Sequence, residues 1–328
     1  MVGAHLVCSL LQQGQSVRAV LSPGDDPKYT KHILSLYSDD YELLYNEIDW
    51  VKTPLDDLSS LSDAVEDTCV TLYCITPKLS SIRYIEDNVA EIKNVISAVQ
   101  NSSCGYFLYI SNVSALGDEP DMTEISELSQ RNPKGVYSQI SQAYFQCEIE
   151  VRRAMQEGLN AGILNSAAVL GPGDWKTDSS SFIPDSQNMK LYADGVTGLV
   201  GVNDLIKCIM IMVKEKYNDS YIVCSENMSC GELITYIDNN LNPNNKVKRK
   251  KASPLMLKIY KAVYAIKSIL TGRRPIIDGE YFDNLTRFRL YSNRKSINKL
   301  ITNYQTVEEV VETICNIYLK DKNTTSAK

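Results

Sequence analysis

Two tyrosines lie one helical turn on either side of Ile140 in this chain of 328 residues. Apolar periodicity predicts a helix over about residues 137–157, which places Tyr137, Ile140 and Tyr144 on one face. A phenol exchanges protons well at neutral pH when a nearby cation lowers its pKa from about 10. Neither tyrosine has a lysine four residues later. The pair therefore offers weak proton transfer, and an aromatic face packed against a sheet is the alternative.

A hydroxyl and an amide stand at the end of a strand-like run. Ser111 ends the segment YFLYIS, and Asn112 follows it. Runs of this kind alternate with helical patterns, which is typical of a parallel sheet covered by helices. The runs are SVRAVL, IDWVKT, VTLYCIT, YFLYIS and AGILNSAAVLG. The sequence therefore predicts an α/β fold with a doubly wound parallel sheet.

The alternation loosens from Asp178 onward. We expect residues 1–175 to form the sheet domain. Residues 176–320 would form a smaller mixed α/β lobe, from which some strands and helices return to the core. The polar end DKNTTSAK, residues 321–328, is expected to be a disordered tail.

The chain begins directly with a helical pattern. Val2, Leu6 and Leu10 recur at helical spacing, and Gly14 stands where a helix ends in a left-handed residue. A helix that leads into a buried parallel strand normally follows a strand. We therefore expect the first strand of the sheet to be missing from this chain. A start codon placed at an internal methionine is the favoured explanation, and a degenerate copy is the alternative.

Composition narrows the choice of partners. The net charge of −6 argues against a general nucleic-acid partner. One basic patch, Lys246 with residues 248–251, is expected to be a solvated strand edge. The chain shows no transmembrane segment, because its most apolar stretch, LMLKIYKAVYAIKSIL, is short and carries three lysines. That stretch is expected to be an amphipathic helix lining the small lobe.

The cysteines predict the compartment. The nine cysteines show neither CxxC spacing nor histidine partners, and several lie within apolar runs. We expect reduced core thiols, no metal site and a cytoplasmic location.

Several segments together resemble the extended short-chain dehydrogenase/reductase superfamily. The resemblance is to its NAD-dependent epimerase/dehydratase branch, which includes dihydroflavonol reductases and 3β-hydroxysteroid dehydrogenases. It covers nearly the whole chain and implies a Rossmann-like fold and NAD or NADP as cofactor. It also implies hydride transfer at a hydroxyl or ketone carbon of a small apolar substrate. The segments are GAHLVCSLLQQGQSVRAV, DLSSLSDAVED, NVAEIKNVISA, YISNVSALG, EIEVRRAMQEGLNAGILNSAAVLGPGDW, GLVGVNDLIKCI and SILTGRRP.

The resemblance also assigns catalytic positions, and all of them are altered. Such proteins use a tyrosine, a lysine four residues later and a serine or threonine. Here Ile140 stands at the tyrosine position, Tyr144 at the lysine position and Asn112 at the hydroxyl position. The best available catalytic candidates are therefore Ser111, Asn112, Tyr137 and Tyr144.

Most residues at the cofactor-binding positions also differ from those of the family. Gly3 is the last glycine of the TGxxGxxG loop, and Ser22 stands where relatives often carry an arginine for the NADP phosphate. Thr53-Pro54-Leu55 replaces Gly-Asp-Leu, and Ile75-Thr76 replaces Ala-Ala. Asn88 is retained, whereas Asn165-Ser166 replaces Asn-Pro. The assigned cofactor positions are Gly3, Ser22, Leu55, Thr76, Asn88, Asn165 and Ser166.

Two hypotheses of different classes follow. The first is an NAD(P)-dependent oxidoreductase-type protein whose activity is weak or lost. The second is a non-catalytic homologue that acts as a binding or interaction scaffold. A homodimer through the aromatic helix face of Tyr137, Tyr144 and Phe145 is a further option that the sequence leaves open.

Overall fold

The computed structural model describes residues 1–79, 81–118, 123–176, 178–243, 248–253, 256 and 287–326. Strands in these ranges form four sheets. The strands are β1 (Arg18–Leu21), β2 (Asp49–Lys52), β3 (Thr71–Tyr73), β4 (Phe107–Asn112), β5 (Ala161–Ser166), β6 (Ala168–Leu170), β7 (Leu191–Tyr192), β8 (Val196–Gly201), β9 (Ser220–Val223), β10 (Glu226–Ser229) and β11 (Lys250–Lys251).

Helices connect these strands in the described ranges. The helices are α1 (Val2–Gln12), α2 (Lys28–Tyr37), α3 (Tyr41–Asn46), α4 (Leu58–Val65), α5 (Tyr84–Gln100), α6 (Gln139–Gln156), α7 (Phe182–Ser186), α8 (Val202–Glu215), α9 (Cys230–Leu241), α10 (Arg294–Lys299) and α11 (Val307–Ser326). Short 3-10 helices lie at Val113–Ala115 and Ser179–Ser181.

The largest sheet has the strand order β3–β4–β5–β9, and all of its strand pairs are parallel. β4 and β5 are buried along their length except at Asn112. One buried cluster joins this sheet to α5 and α6, and another joins it to α1 and α8. Strands covered on both faces need apolar runs without alternation, and these sequences supply them. The predicted α/β fold is confirmed.

β1 and β2 form a separate two-stranded parallel sheet. The residues of β1 alternate between exposed and half-buried, and Val20 is 38% exposed. The prediction that SVRAVL forms a buried strand is therefore wrong, because Ala19 packs against the cluster formed with α1 and α2 while the opposite face, with Arg18 and Val20, is exposed. The Arg18 guanidinium holds the start of β1, donating from Nε to Asp49 Oδ2 at 2.6 Å and from Nη1 to the Glu66 carbonyl at 2.9 Å.

The predicted single strand AGILNSAAVLG divides into β5 and β6. The division falls at Ala167, whose N–H donates to the Val223 carbonyl at the end of β9. β6 then leaves the main sheet and pairs with β8, which also pairs antiparallel with β10. β9 returns from the second half of the chain to the main sheet. The boundary at residues 175 and 176 stays a prediction.

The helix ends agree in part with the sequence. Gly14 has a φ of +69° just beyond α1, and Gly158 has +105° just beyond α6, so each takes the left-handed conformation that glycine tolerates. The predicted tail needs a correction, because α11 stays helical through Ser326. Trp175 Nε1 donates to Asp321 Oδ2 at 2.7 Å and anchors that part of the helix.

Some predicted segments lie outside the described residues. The amphipathic stretch LMLKIYKAVYAIKSIL does so apart from Met256, as do SILTGRRP and Lys246 of the basic patch. Lys250 and Lys251 form the exposed strand β11, as expected for that patch, whereas the Arg249 side chain is buried and paired with Asp238. No helix within the described ranges is long and apolar enough to cross a membrane.

Candidate active site

The candidate site lies where β4 and β5 end, beside the first turns of α6. Ser111 and Asn165 are direct partners in the parallel ladder between these two strands. Ser111 Oγ donates to Glu148 Oε1 on α6 at 2.6 Å, and Asn165 Nδ2 donates to the same oxygen. Arg152 Nη2 contacts Glu148 Oε2 at 3.1 Å. The hydroxyl hydrogen of Ser111 is therefore used in a hydrogen bond to a buried carboxylate.

Sequence reasoning missed Glu148, which organises this cluster. Its side chain is almost completely buried, and a buried carboxylate needs donors of this kind. One signal could have revealed it. Glu148 follows Tyr144 by four residues and precedes Arg152 by four, so the three share one helix face.

Asn112, at the hydroxyl position, serves as a cap. Its Oδ1 accepts the N–H of Ser114 at 2.9 Å and so starts the short 3-10 helix after β4. Its carbonyl accepts Asn165 Nδ2 at 3.5 Å. An amide in this role closes the loop and relays no proton.

Tyr144, at the lysine position, is a buried phenol. Its ring is 9% exposed and packs among Ile140, Val151 and the sheet residues Tyr73 and Tyr109. Burial raises its pKa, so the phenol is neutral at pH 7. Thr76, which follows β3, is exposed. The lysine position supplies no positive charge that could lower the pKa of a neighbouring hydroxyl.

Tyr137 does not lie on α6, and the prediction that it shares a helix face with Ile140 and Tyr144 is wrong. The helix begins at Gln139, because the Ser138 hydroxyl accepts the N–H of Ser141 and caps it. The Tyr137 hydroxyl instead accepts the Asn132 N–H at 2.8 Å.

Arg131 occupies the aromatic face that was a candidate for self-association. Its Cζ lies 3.7 Å from the ring centroid of Tyr137 and 4.5 Å from that of Phe145. Its Nη1 donates to the Ser141 carbonyl at 3.0 Å. With Tyr144 buried as well, this face is engaged within the chain.

Gly3 lies in the first turn of α1, and Ser22 directly follows β1. A Cβ built on Gly3 would lie 3.8 Å from the Cβ of Cys74, just beyond β3, so the first turn of α1 packs on the carboxyl end of β3. The Ser22 N–H donates to Asp25 Oδ2 at 3.2 Å. A carboxylate beside Ser22 disfavours the phosphate that distinguishes NADP.

Leu55 and Asn88 have structural partners. Leu55 is buried in the α5–α6 cluster, and its carbonyl accepts Asn94 Nδ2 at 3.1 Å. Asn88 Nδ2 donates to the carbonyls of Lys78 and Tyr84 at 2.7 and 2.6 Å, and its Oδ1 accepts the Lys78 N–H at 2.9 Å. Asn88 thereby fixes the loop between β3 and α5.

Ser166 and Asn165 end β5. Ser166 Oγ donates to the Ala167 carbonyl at 2.9 Å. Asn165 Oδ1 is buried and has no partner among the described residues. Asn165 Oδ1 is thus a buried acceptor without a partner in the described part of the chain, whereas the side chains of Ser111, Asn112 and Ser166 are hydrogen-bonded within the chain.

Comparison with known proteins identifies the family. A sequence model described as the NAD dependent epimerase/dehydratase family matches residues 1–223. The chain belongs to this family. A dihydroflavonol 4-reductase-like protein from Synechocystis sp. (strain ATCC 27184 / PCC 6803 / Kazusa) is 24% identical over 249 residues, which is 72% of this chain and 68% of that protein.

Solved structures of family-like proteins share the fold. The crystal structure of gox2253 superposes with a TM-score of 0.77 at 20% identity, covering 98% of this chain and 96% of that one. Vestitone reductase from alfalfa (Medicago sativa L.) superposes with a TM-score of 0.69 at 13% identity, covering the same shares. At these identities the likeness shows the Rossmann-like fold. The resemblance to extended short-chain dehydrogenases is thereby confirmed.

The family is NAD-dependent, so the assigned side chains can be tested for their fit to a nicotinamide dinucleotide. The side chains of Asn88 and Ser166 are hydrogen-bonded within the chain, and Leu55 is buried in the core. Residues 53–55 provide no carboxylate for an adenine amino group. These assigned side chains do not fit the cofactor.

Proposed function

We propose that this family member is an oxidoreductase-type protein whose turnover is weak or lost. Its chemistry would be directed at a hydroxyl or ketone carbon of a small apolar substrate, with NAD or NADP as the cofactor of its relatives. The observation that carries the proposal is the burial of the neutral Tyr144 phenol at the lysine position. An isoleucine at the tyrosine position leaves that place without an acidic proton.

The other hydroxyl groups do not restore this chemistry. Ser111 donates to Glu148, and the Tyr137 hydroxyl accepts a backbone N–H in a loop before α6. A proton-transfer group must reach the substrate oxygen and must have a suitable pKa. Both hydroxyls are engaged elsewhere, which supports weak or lost turnover.

The loops at the carboxyl ends of the main strands support an apolar substrate. Ile82 follows β3, and Leu128 and Val136 lie between β4 and α6; all three side chains are largely exposed. Ligands of open α/β folds bind outside the carboxyl ends of the strands. Apolar side chains exposed there favour a ligand with little polar surface.

A cytoplasmic location is part of the proposal. All nine cysteines lie in the described residues and are free thiols. Reduced thiols are typical of the cytosol.

The experiment rebuilds the proton-transfer pair. Oxidation of NADH and of NADPH is followed in the wild type and in the Ile140→Tyr/Tyr144→Lys double variant, with a panel of apolar ketones. We expect the double variant to turn over about 100-fold faster than the wild type, the gain typical of general acid–base catalysis. The control, Ile140→Phe/Tyr144→Met, changes volume similarly and supplies no acid, so it should match the wild type.

Cofactor binding is measured separately by titrating NADH and NADPH fluorescence against each folded variant. A double variant that binds cofactor and still shows no gain over the control contradicts the proposal. A wild type that turns over as fast as ordinary enzymes, about 1 s⁻¹ or more, contradicts it as well.

A further inference from the structure

Two cysteines stand side by side where two strands of the main sheet begin. Cys69 lies just before β3, and Cys104 lies just before β4. Cys69 is exposed and Cys104 is half-buried, so both residues keep surface that is accessible to solvent. This end of the sheet is opposite to the candidate active site, which lies at the carboxyl ends of the strands.

Backbone hydrogen bonds place the two cysteines in register. The Gly105 N–H donates to the Cys69 carbonyl at 3.0 Å, and the Thr71 N–H donates to the Tyr106 carbonyl at 3.0 Å. In a parallel ladder, a residue whose carbonyl accepts the N–H of residue j + 1 lies beside residue j. Cys69 therefore lies beside Cys104, just before the regular pairing of β3 with β4.

The two cysteines are on the same face of the sheet. Val70 and Leu72 pack against the cluster that includes α1 and α8, whereas Tyr73 packs against α5 and α6. Successive side chains of an extended strand alternate between the two faces, so Cys69 shares the face of Tyr73. Cys104 packs against the same cluster as Tyr73.

Thr71 fixes the position of one of the two sulfur atoms. Its Oγ1 lies 3.3 Å from Cys104 Sγ. The Cys69 carbonyl and the Thr71 N–H both bond to the neighbouring strand, so the backbone between them is extended and their side chains share a face. The Cys104 sulfur therefore already lies on the face to which Cys69 points.

The spacing of the two residues suits a disulfide. Neighbouring strands lie about 4.8 Å apart, and disulfides join residues whose Cα atoms are about 4.4–6.8 Å apart. The Cys69 side chain is exposed, so it can change rotamer without displacing core residues. The bond can therefore close by rotation of side chains, with the backbone in place.

We propose that Cys69 and Cys104 form a redox modification site, which closes reversibly to a disulfide by exchange with glutathione disulfide. The thiolate of the exposed Cys69 attacks one sulfur of glutathione disulfide and releases one reduced glutathione. The Cys104 thiolate then attacks the Cys69 sulfur of the mixed disulfide and releases the second reduced glutathione. The two protein thiols thereby lose two electrons and two protons, which glutathione disulfide gains. Excess reduced glutathione reverses both steps.

The first test titrates the full chain at pH 7 with mixtures of reduced glutathione and glutathione disulfide. The thiols are trapped by alkylation, and proteolytic fragments are identified by mass spectrometry. We expect excess glutathione disulfide to give a chain lighter by two hydrogen atoms, with Cys69 linked to Cys104, and excess reduced glutathione to restore both thiols. Two separate thiols or two separate mixed disulfides under excess glutathione disulfide would overturn the proposal, as would a link that reduced glutathione does not open.

Three variants identify the pair. Cys69→Ser should lose the intrachain disulfide, and Cys104→Ser should stop the reaction at a mixed disulfide between Cys69 and glutathione. Cys230→Ser removes another half-buried cysteine, at the start of α9, and is the matched control that should form the link as the wild type does. An intrachain disulfide that persists in folded Cys69→Ser would overturn the assignment.

Thermal unfolding tests whether the disulfide belongs to the native fold. A disulfide that fits the folded geometry restricts the unfolded chain, and this one closes a loop that contains β3 and α5. We expect the oxidised chain to melt about 5 °C above the reduced chain, and Cys69→Ser to show no such shift. A melting temperature that stays the same or falls on oxidation of the wild type would contradict a link formed within the native sheet.

Discussion

The two parallel sheets of the first half of the chain differ in how deeply they are buried. β5 is buried at every residue, whereas β1 alternates between exposed and half-buried. Both strands come from short apolar runs that look alike in the sequence. β5 has strands on both sides, and β1 has β2 on one side. Coverage of both faces decides the difference, because, within the described residues, β9 also has a strand on one side alone and is buried at every residue.

This difference in burial separates the candidate site from the region of α1 and β1. The proton-transfer positions stand on β4, β5 and α6, where packing is complete. Gly3 lies in α1 and Ser22 follows β1, a strand whose residues are exposed or half-buried. Substitutions in the two regions should therefore have unequal effects.

The largest contrast is expected from one matched pair of leucines. Leu164 in β5 is 0% exposed, and Leu21 in β1 is half-buried. Leu164→Ala should lower the free energy of unfolding by about 4 kcal/mol because it leaves a cavity. Leu21→Ala should lower it by about 1 kcal/mol, since it exposes little new surface. Urea unfolding of both variants measures the difference, and equal losses would break the comparison.

The buried carboxylate should produce the next largest effect. Glu148→Ala removes the acceptor that Ser111 and Asn165 share. We expect a loss of about 3 kcal/mol in unfolding free energy, because buried donors are left without a partner. Glu157→Ala, at an exposed position one turn beyond Arg153, is the matched control and should change stability little. A loss in Glu148→Ala no larger than in the control would contradict the role of Glu148.

Acid should weaken the α1–α2 region through His5. Burial lowers its pKa from 6.5 to about 4, so between these values the unfolded chain binds a proton that the folded chain does not. Stability therefore falls as pH falls through this window, by about 2 kcal/mol between pH 7.5 and pH 5. His5→Phe should abolish this component of the pH dependence. An NMR titration that gives His5 a pKa near 6.5 would contradict it.

The smallest effect is expected at the lysine position. Tyr144→Phe removes one hydroxyl group and keeps the buried ring, so we expect a loss of about 1 kcal/mol in the free energy of unfolding. Urea unfolding measures this loss, and no loss would mean that the hydroxyl does not stabilise this position.

The fold followed from local patterns. The runs IDWVKT, VTLYCIT and YFLYIS became β2, β3 and β4, and Gly14 and Gly158 ended helices as their left-handed conformations require. The break of AGILNSAAVLG at Ala167 could not be predicted, because it depends on a hydrogen bond to Val223, more than fifty residues later.

The site was predictable in part. Ser111, Asn112 and Asn165 lie together where β4 and β5 end, because neighbouring parallel strands end at one edge of the sheet; the roles assigned to them stay predictions. The predicted helical position of Tyr137 is wrong, because Ser138 caps α6 and the helix begins one residue later. Glu148 was missed although its spacing from Tyr144 places it on the same helix face; its hydrogen bonds to Ser111 and Asn165 on the two strand ends depend on tertiary structure.

The most direct test of the account is a turnover measurement on the unmodified chain. NADH and NADPH oxidation would be followed at pH 7 by stopped flow, at saturating concentrations of a panel of apolar ketones. The account predicts rates within about tenfold of the buffer control, because Ile140 and Tyr144 provide no proton-transfer pair. Turnover of about 1 s⁻¹ or more that is abolished by Tyr137→Phe or Ser111→Ala would contradict it.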